Sequence, residues 1–452
     1  MTATAYRDGA ALDVRPAPRS LTTLLTLAAV ALTIAVSGIV FSEPAPVDAL
    51  TIGLIVLLPV IGLVAFNPAL VAFAALWLLA GAGALIAASF SEDLPATGPH
   101  VAVTLYLYAA CVVFAAFVAY DPRAHTRLIL SAWTVAALIA CAAAVFGYFG
   151  VIPGGYEMFT EYDRASGTFK DPNVFGPFLI PPFLYLINGA LERPLHRMVM
   201  PLALATFLAL GVFLSFSRGA WINLGLSAAI YGYLLMATTR QSRVRLKLIS
   251  LLVLGSVFAA IAVLAALSSD QVSSLLAQRA SLEQSYDVGA EGRFGGQQKA
   301  AGLIAETPLG IGALEFAKRY HPEAAHNVYL TSLLSSGWLG GSMYIILVLA
   351  TLVFGFRFAV KAGELRPVFL VVYSAFVAIA GEGIIIDSDH WRHFYLLMAL
   401  IWGMMTARTA PASASAPERA ATAPPRRGPR ILTPPVDVVA SWRHPTIVAA
   451  RA

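Results

Sequence analysis

The stretch "HNVYLTSLLSSGWLGGSMYIILVLATLVFGF", residues 326–356, contains no Asp, Glu, Lys or Arg. As one helix, it would extend about 46 Å at about 1.5 Å per residue, whereas the hydrocarbon core of a bilayer is about 30 Å thick. The helix must therefore tilt, break near Gly340-Gly341 or project beyond the membrane. In each case His326 lies at the membrane edge, where polar sequence gives way to apolar sequence.

Apolar runs of similar character recur along the chain. Of its 452 residues, 58% are hydrophobic and only 12% are charged, whereas a soluble domain carries about 25% charged residues. The runs are continuous and do not alternate as barrel strands do, so they predict an all-α polytopic membrane protein with about twelve transmembrane helices. The predicted spans are 21–41, 49–66, 69–88, 101–120, 128–149, 173–190, 199–216, 220–237, 248–267, 328–356, 367–386 and 394–407.

Charge differs between alternate loops. Four loops together contain eleven Lys or Arg residues, and two others contain none. The basic loops are 121–127, 191–197, 238–247 and 357–366, and those without Lys or Arg are 42–48 and 91–100. Because positive loops stay in the cytoplasm, the intervening polar segments are predicted to face the periplasm. These segments are 150–172, 215–221, 268–325 and 387–393.

Three parts follow from this topology. Residues 1–20 form a cytoplasmic N-terminal segment, and 21–407 form the transmembrane domain, whose large periplasmic loop 268–325 has partly helical sequence. Residues 408–452 are rich in Ala, Pro and Arg, which predicts a disordered cytoplasmic tail. A solvated tail without a specific partner is expected, and attraction of its arginines to anionic membrane lipids is the alternative. The net charge of +5 lies mostly in loops and tail, so it indicates topology and not a nucleic-acid partner.

Arg218 interrupts an otherwise apolar stretch that is too long for one span, so it is predicted at the hairpin between two helices. One interpretation is an arginine that extends to lipid phosphate. The other is an inward-facing arginine that binds a polyanion through its planar fork. In the large loop, Arg279 and Arg293 are the notable cations, and each alone is also compatible with a solvated charge.

The tripeptide Asp171-Pro172-Asn173 has the pattern of a helix start, in which Asp171 caps and Pro172 opens the first turn. Lys170 and Arg164 precede it, and helix N-termini favour anions. A structural cap with loop charges explains the same residues. Asn173 could also donate or accept a hydrogen bond with a sugar.

His326 and Asn327 allow two interpretations. Asn327 starts the helix and His326 is exposed without a role, or the neutral imidazole accepts a proton near neutral pH.

The motif "DSDHWRH", residues 387–393, contains two acids, two histidines and an arginine. Its spacing matches no established metal-ligand pattern, so no metal is assigned and a solvated turn is expected.

Four segments together resemble the O-antigen ligase and O-antigen polymerase family of bacterial membrane glycosyltransferases. In family order they are "SGTFKDPNVFGPFL" (166–179), "SFSRGAW" (215–221), "GRFGGQQKAAGLIAETPLGIGALEF" (292–316) and "HNVYLTSLLSSGWLGG" (326–341). The family often has an aromatic residue shortly after the loop arginine, where this chain has "RFGGQQK". No role is carried over for that aromatic.

The resemblance implies a GT-C-like fold in the bacterial inner membrane, with a periplasmic active site and no metal or other cofactor. The donor would be a glycan on undecaprenyl diphosphate. The acceptor hydroxyl would belong to lipid A core or to a growing polysaccharide, so the protein would serve lipopolysaccharide or exopolysaccharide synthesis. His326 would be the general base, and Arg218 and Arg293 would bind the diphosphate. Weaker substrate contacts would be Arg279, Lys170, Asn173 and Asn327.

A twelve-span transporter or lipid-carrier flippase is the alternative. Such proteins usually contain two related halves with polar residues at the bilayer midplane. Here the halves look unrelated, and the candidate cations gather at one face. Glu382, inside the eleventh predicted span, favours transport, although the topology places it toward the outer end.

Overall fold

The computed structural model describes residues 20–267, 289, 292–361 and 363–407. Within these ranges, twelve helices have 15 or more residues, and each coincides with one predicted span. The helices are α1 (Leu21–Val36), α2 (Pro46–Ile61), α3 (Pro68–Ala88), α4 (Leu94–Tyr120), α5 (Pro122–Tyr148), α6 (Gly155–Phe159), α7 (Pro172–Glu192), α8 (Val199–Leu214), α9 (Arg218–Thr238), α10 (Ser242–Leu267), α11 (Arg293–Glu306), α12 (Val328–Lys361), α13 (Arg366–Glu382) and α14 (Arg392–Thr406).

Six of the helices in the described ranges are long and apolar enough to cross a membrane, namely α3, α4, α5, α7, α9 and α12. Helices α1, α2 and α8 are apolar but shorter. Large apolar side chains such as Val60 and Leu78 point outward and are 75% exposed. An exposed apolar surface of this kind suits contact with lipid. The all-α membrane architecture is confirmed, while twelve crossings and the GT-C-like fold stay predictions.

The buried core lies among α4, α5, α7, α13 and α14, and α13 and α14 are buried over most of their lengths. Helix α12 packs along α3, and α14 packs along α4. At the α3–α12 contact Gly83 lies against the backbone of Gly340, so closely that a Cβ on Gly83 would overlap it. Small residues at such contacts let membrane helices approach closely.

Helix α12 is interrupted at Gly337, which has φ 63° and ψ −175°. Of the three possibilities that the length of this stretch allows, a break is observed, and it lies three residues before Gly340-Gly341, where Gly340 packs against α3. The interruption leaves backbone groups of α12 without hydrogen-bond partners in the helix, and the loop before α12 supplies these partners. The N–H of Trp338 donates to the Pro308 carbonyl at 2.8 Å, and the N–H of Ile311 donates to the Leu334 carbonyl at 2.8 Å. The segment before Gly337 thus forms a separate short part of the helix.

Side chains cap two helices as the sequence predicts. Asp171 Oδ1 accepts from the N–H of Asn173 at 2.7 Å, and α7 begins at Pro172. Asn327 Oδ1 accepts from the N–H of Tyr329 at 3.1 Å and of Leu330 at 3.2 Å, so Asn327 is the N-cap of α12. Each cap fixes the chain where it enters its helix.

Two arginines open helices, and a short hairpin precedes α7. Arg218 is the first residue of α9, at the hairpin after α8 as expected, and Arg293 is the first residue of α11. The strands β1 (Thr160–Glu161) and β2 (Arg164–Ala165) pair antiparallel. Arg279 and the predicted helical sequence around it lie outside the described residues.

Candidate functional site

The end of α13 joins the beginnings of α9 and α12. Glu382, the last residue of α13, accepts a hydrogen bond at 2.6 Å from Asn223 Nδ2 in the second turn of α9. Gly219 lies so close to Glu382 that a Cβ there would meet its carboxylate. The N–H of Val328 donates to the carbonyl of Gly383 at 2.8 Å. Arg218 and the start of α12 are therefore brought to the same end of the helical domain.

His326 lies in a turn that Asp387 stabilises. Its backbone is left-handed, with φ 48°, which is uncommon for a residue with a side chain. The His326 N–H donates to Asp387 Oδ2 at 3.0 Å, and the Asn327 N–H donates to Asp387 Oδ1 at 3.2 Å. The Thr331 hydroxyl donates to the same Oδ1 at 2.5 Å. One carboxylate thus binds three donors around the start of α12.

The His326 side chain is 30% exposed, and its Nε2 lies 3.3 Å from Glu323 Oε2. When Nε2 carries the proton and donates it to Glu323, Nδ1 keeps a free lone pair. An imidazole in this tautomer can accept a proton at Nδ1, and the carboxylate then stabilises the resulting cation. Glu323 was not predicted from the sequence as a partner of His326. Its position three residues before His326 was the only local signal for this contact.

Helix α11 contacts the same turn. Gln297 Nε2 donates to the carbonyl of His326 at 3.2 Å and to the carbonyl of Ile384 at 3.3 Å. Gln297 lies one turn after Arg293, so the first turn of α11 is adjacent to His326. Both Arg293 and Arg218 are half-buried. The three residues predicted as catalytic therefore lie on segments that converge at residues 382–387.

Lys170 and Asn173 lie elsewhere, in the wall of a cavity of about 480 Å³. Arg164 also lines this cavity. Its Nη2 donates to Asn173 Oδ1 at 2.7 Å, and its Nε donates to the carbonyl of Ser215 at 2.9 Å. The carbonyl oxygen of Asn173 is thus engaged within the protein, while Lys170 is exposed. Asp387 also lines the cavity, so it connects this space to the turn at His326.

The expectation that 387–393 is a solvated turn is wrong. Ser388, Trp391 and His393 are all less than 7% exposed. Arg392 binds Asp48 of α2 through Nε at 2.6 Å and Nη2 at 2.7 Å. The charged residues of the segment are partly buried, and the partner of Arg392 lies on a distant helix, which no local spacing could reveal.

The two acids of this segment have opposite electrostatic surroundings. Burial, together with the charge of Asp389, raises the pKa of Asp387. Burial also acts on Asp389, but the contact with His100 and the charges of His390 and His100 outweigh it and hold the pKa of Asp389 below its usual range. Asp389 is therefore the more readily ionised of the pair.

The apolar helices and the buried polar end define a multi-pass membrane protein. Residues 203–345 match the family model described as O-antigen ligase, so this segment is similar to that family. The matched segment contains Arg218, Arg293, His326 and Asn327, whereas Lys170 and Asn173 precede it. The search of curated proteins finds no match.

Proposed function

We propose that this protein transfers a glycan from undecaprenyl diphosphate to an acceptor hydroxyl at the periplasmic face of the bacterial inner membrane. The observation that carries the proposal is the convergence of the segments of His326, Arg218 and Arg293 on residues 382–387. All three residues lie in the part of the chain that matches the family model. Lipid-linked substrates stay at the bilayer surface, so a site at one end of the helices is where such chemistry has to occur.

His326 is the general base in this mechanism. Its Nδ1 takes the proton of the acceptor hydroxyl while Glu323 accepts a hydrogen bond from Nε2. The acceptor oxygen attacks the anomeric carbon and forms the new glycosidic bond, with inversion. The bond from the anomeric carbon to the diphosphate oxygen breaks, and its electron pair leaves with undecaprenyl diphosphate. The proton on His326 then passes to solvent.

Arg218 and Arg293 bind the diphosphate and stabilise the charge that develops on it. A guanidinium group is always charged and presents paired donors to phosphate oxygens. Each arginine also opens a helix, whose N-terminal amides favour an anion. With this charge supplied by the protein, the proposed transfer step uses no metal or other cofactor.

The cavity beside Asp387 is suited to the polar part of a substrate. Lys170 and Asp171 line it together with Trp133 and Phe178. Aromatic walls combined with polar groups are common in pockets that bind sugars and other small ligands. In this proposal Lys170 and Asn173 contact the glycan through this space, and Asn327 acts mainly by capping α12.

The test is a reconstituted reaction. Purified protein is supplied with undecaprenyl-diphosphate-linked repeats, with and without a lipid A core acceptor. Longer glycans on the carrier identify a polymerase, and transfer only to the added acceptor identifies a ligase. If neither product forms and the labelled donor instead moves across the bilayer of sealed vesicles, the protein is a flippase and the proposal is wrong.

A further inference from the structure

A second polar cluster lies beside the site and takes no part in the proposed chemistry. His100 from α4 meets Asp389 and His390, and one ligand atom from each lies within 4.8 Å of the other two. His100 Nε2 is 3.7 Å from Asp389 Oδ2, and these two side chains are 23% and 24% exposed. The two imidazole rings are 4.0 Å apart at an angle of 28°. The cluster is therefore compact and still open to solvent.

Thr104 fixes which nitrogen of His390 is available. The Thr104 hydroxyl donates its single hydrogen to the carbonyl of His100 at 3.1 Å. Its oxygen must then accept the hydrogen bond that joins it to His390 Nε2 at 2.9 Å. With Nε2 as the donor in this contact, the lone pair of the neutral ring is on Nδ1. Histidines that bind metals usually have the other ring N–H held in this way by a neighbouring acceptor.

We propose that His100, Asp389 and His390 bind one divalent transition-metal ion, for which Zn²⁺ is the best fit. Two imidazoles and one carboxylate, with a fourth position open to water, form a known zinc ligand set. Bonds of about 2.1 Å in a tetrahedron place ligand atoms about 3.4 Å apart. The 3.7 Å between His100 and Asp389 closes to this value with a small side-chain rotation, and the stacked ring of His390 must turn toward the same point.

The ion would attach the segment after α13 to α4. Asp387, two residues before Asp389, binds the backbone of His326. The metal would therefore act as a positioning element and would not touch the reacting atoms, a consequence that rests on the proposed function. The motif at 387–393 supplies only two of the ligands, so the site could not be found without the distant His100.

Metal binding is measured directly, without any glycan substrate, so its outcome is independent of the proposed transfer. Full-length protein with its affinity tag removed is stripped with a chelator and titrated with ZnCl₂ in detergent. Elemental analysis of the gel-filtered protein is expected to give one zinc per chain. The variants His100→Ala and Asp389→Asn are expected to lose it, whereas His196→Ala, at an exposed histidine of the 195–197 turn, retains it.

A milder variant keeps the test decisive if a ligand variant fails to fold. Thr104→Val removes the acceptor from His390 and leaves all three ligands, so zinc affinity is expected to fall about 10- to 100-fold. X-ray absorption of the zinc-loaded protein should show two imidazole nitrogens. Absence of zinc from the native protein, or zinc binding by His100→Ala equal to that of the native protein, would show that the cluster is held by hydrogen bonds alone.

Discussion

Asp387 accepts a hydrogen bond from the backbone N–H of His326, with 3.0 Å between the nitrogen and Oδ2. The contact stabilises a left-handed backbone at His326, φ 48°, a conformation that costs about 1–3 kcal/mol for a residue with a side chain. The carboxylate also accepts from Asn327 and Thr331. A residue on the segment that follows α13 thus holds the backbone from which the imidazole projects.

Replacing Asp387 by Asn tests this relationship. An amide has one acceptor oxygen, and its NH₂ group repels the N–H donors that the carboxylate binds. Hydrogen bonds to a charged group contribute about 1.5–3 kcal/mol, so kcat is expected to fall about 10- to 100-fold. Initial rates of transfer at saturating donor measure it, with Glu92→Gln as the control for loss of an exposed acid. Unchanged kcat would show that Asp387 is not needed to position His326.

His326→Ala should abolish transfer while the protein still inserts in the membrane. Loss of a general base typically costs about 100- to 10,000-fold, and the side chain is 30% exposed, so its removal opens no large cavity. Glycan transfer is followed in the reconstituted assay, and insertion by resistance to alkaline extraction. His196→Ala, at an exposed histidine in the short 3₁₀ helix Leu195–Arg197, serves as the control. If the His326→Ala protein is active, His326 is not the general base.

Arg218→Lys distinguishes a phosphate-binding arginine from a lipid anchor. Lysine keeps the charge but lacks the planar pair of donors. If Arg218 binds the diphosphate, transfer is expected to fall about 100-fold or more, the cost of losing one donor to a developing oxyanion. The matched control is Arg240→Lys, at an exposed arginine before α10. Equal rates for the native protein and Arg218→Lys would identify Arg218 as an interface anchor.

Long apolar runs and helix-start residues were predictable because they depend on local sequence. The twelve runs became helices, and Asp171 and Asn327 cap as expected. The partners of Asp387 and Asp389 were not predictable, because their contacts join residues on different helices. Likewise, the choice of Gly337 over Gly340 for the break depends on which glycine meets α3.

Glu323→Gln tests the acid beside the base. The carboxylate of Glu323 is half exposed, so its interaction with a protonated His326 is worth about 1 kcal/mol. The expected effect is a decrease in kcat of about fivefold, without loss of donor binding. Stopped-time assays over a range of donor concentrations separate kcat from KM. Glu306→Gln, at an exposed acid in α11, provides the comparison. A change confined to KM would argue that Glu323 contacts substrate and does not orient His326.

Gly337→Ala tests the interruption of α12. The backbone there, φ 63° and ψ −175°, belongs to a region that is essentially restricted to glycine. A Cβ would also lie 2.7 Å from the carbonyl carbon of Leu309 and 2.8 Å from the Pro308 oxygen. The substitution is therefore expected to destabilise the protein by about 3 kcal/mol or more.

Thermal unfolding in detergent measures this effect. The comparison is Gly225→Ala in α9, where a Cβ meets no atom within 4 Å, so the variant should be neutral or slightly more stable. Because the short part of α12 before Gly337 carries the turn at His326, Gly337→Ala should also lose transfer activity below its unfolding temperature. If it unfolds like Gly225→Ala and keeps full activity, α12 can continue through this position, and the break does not set the position of His326.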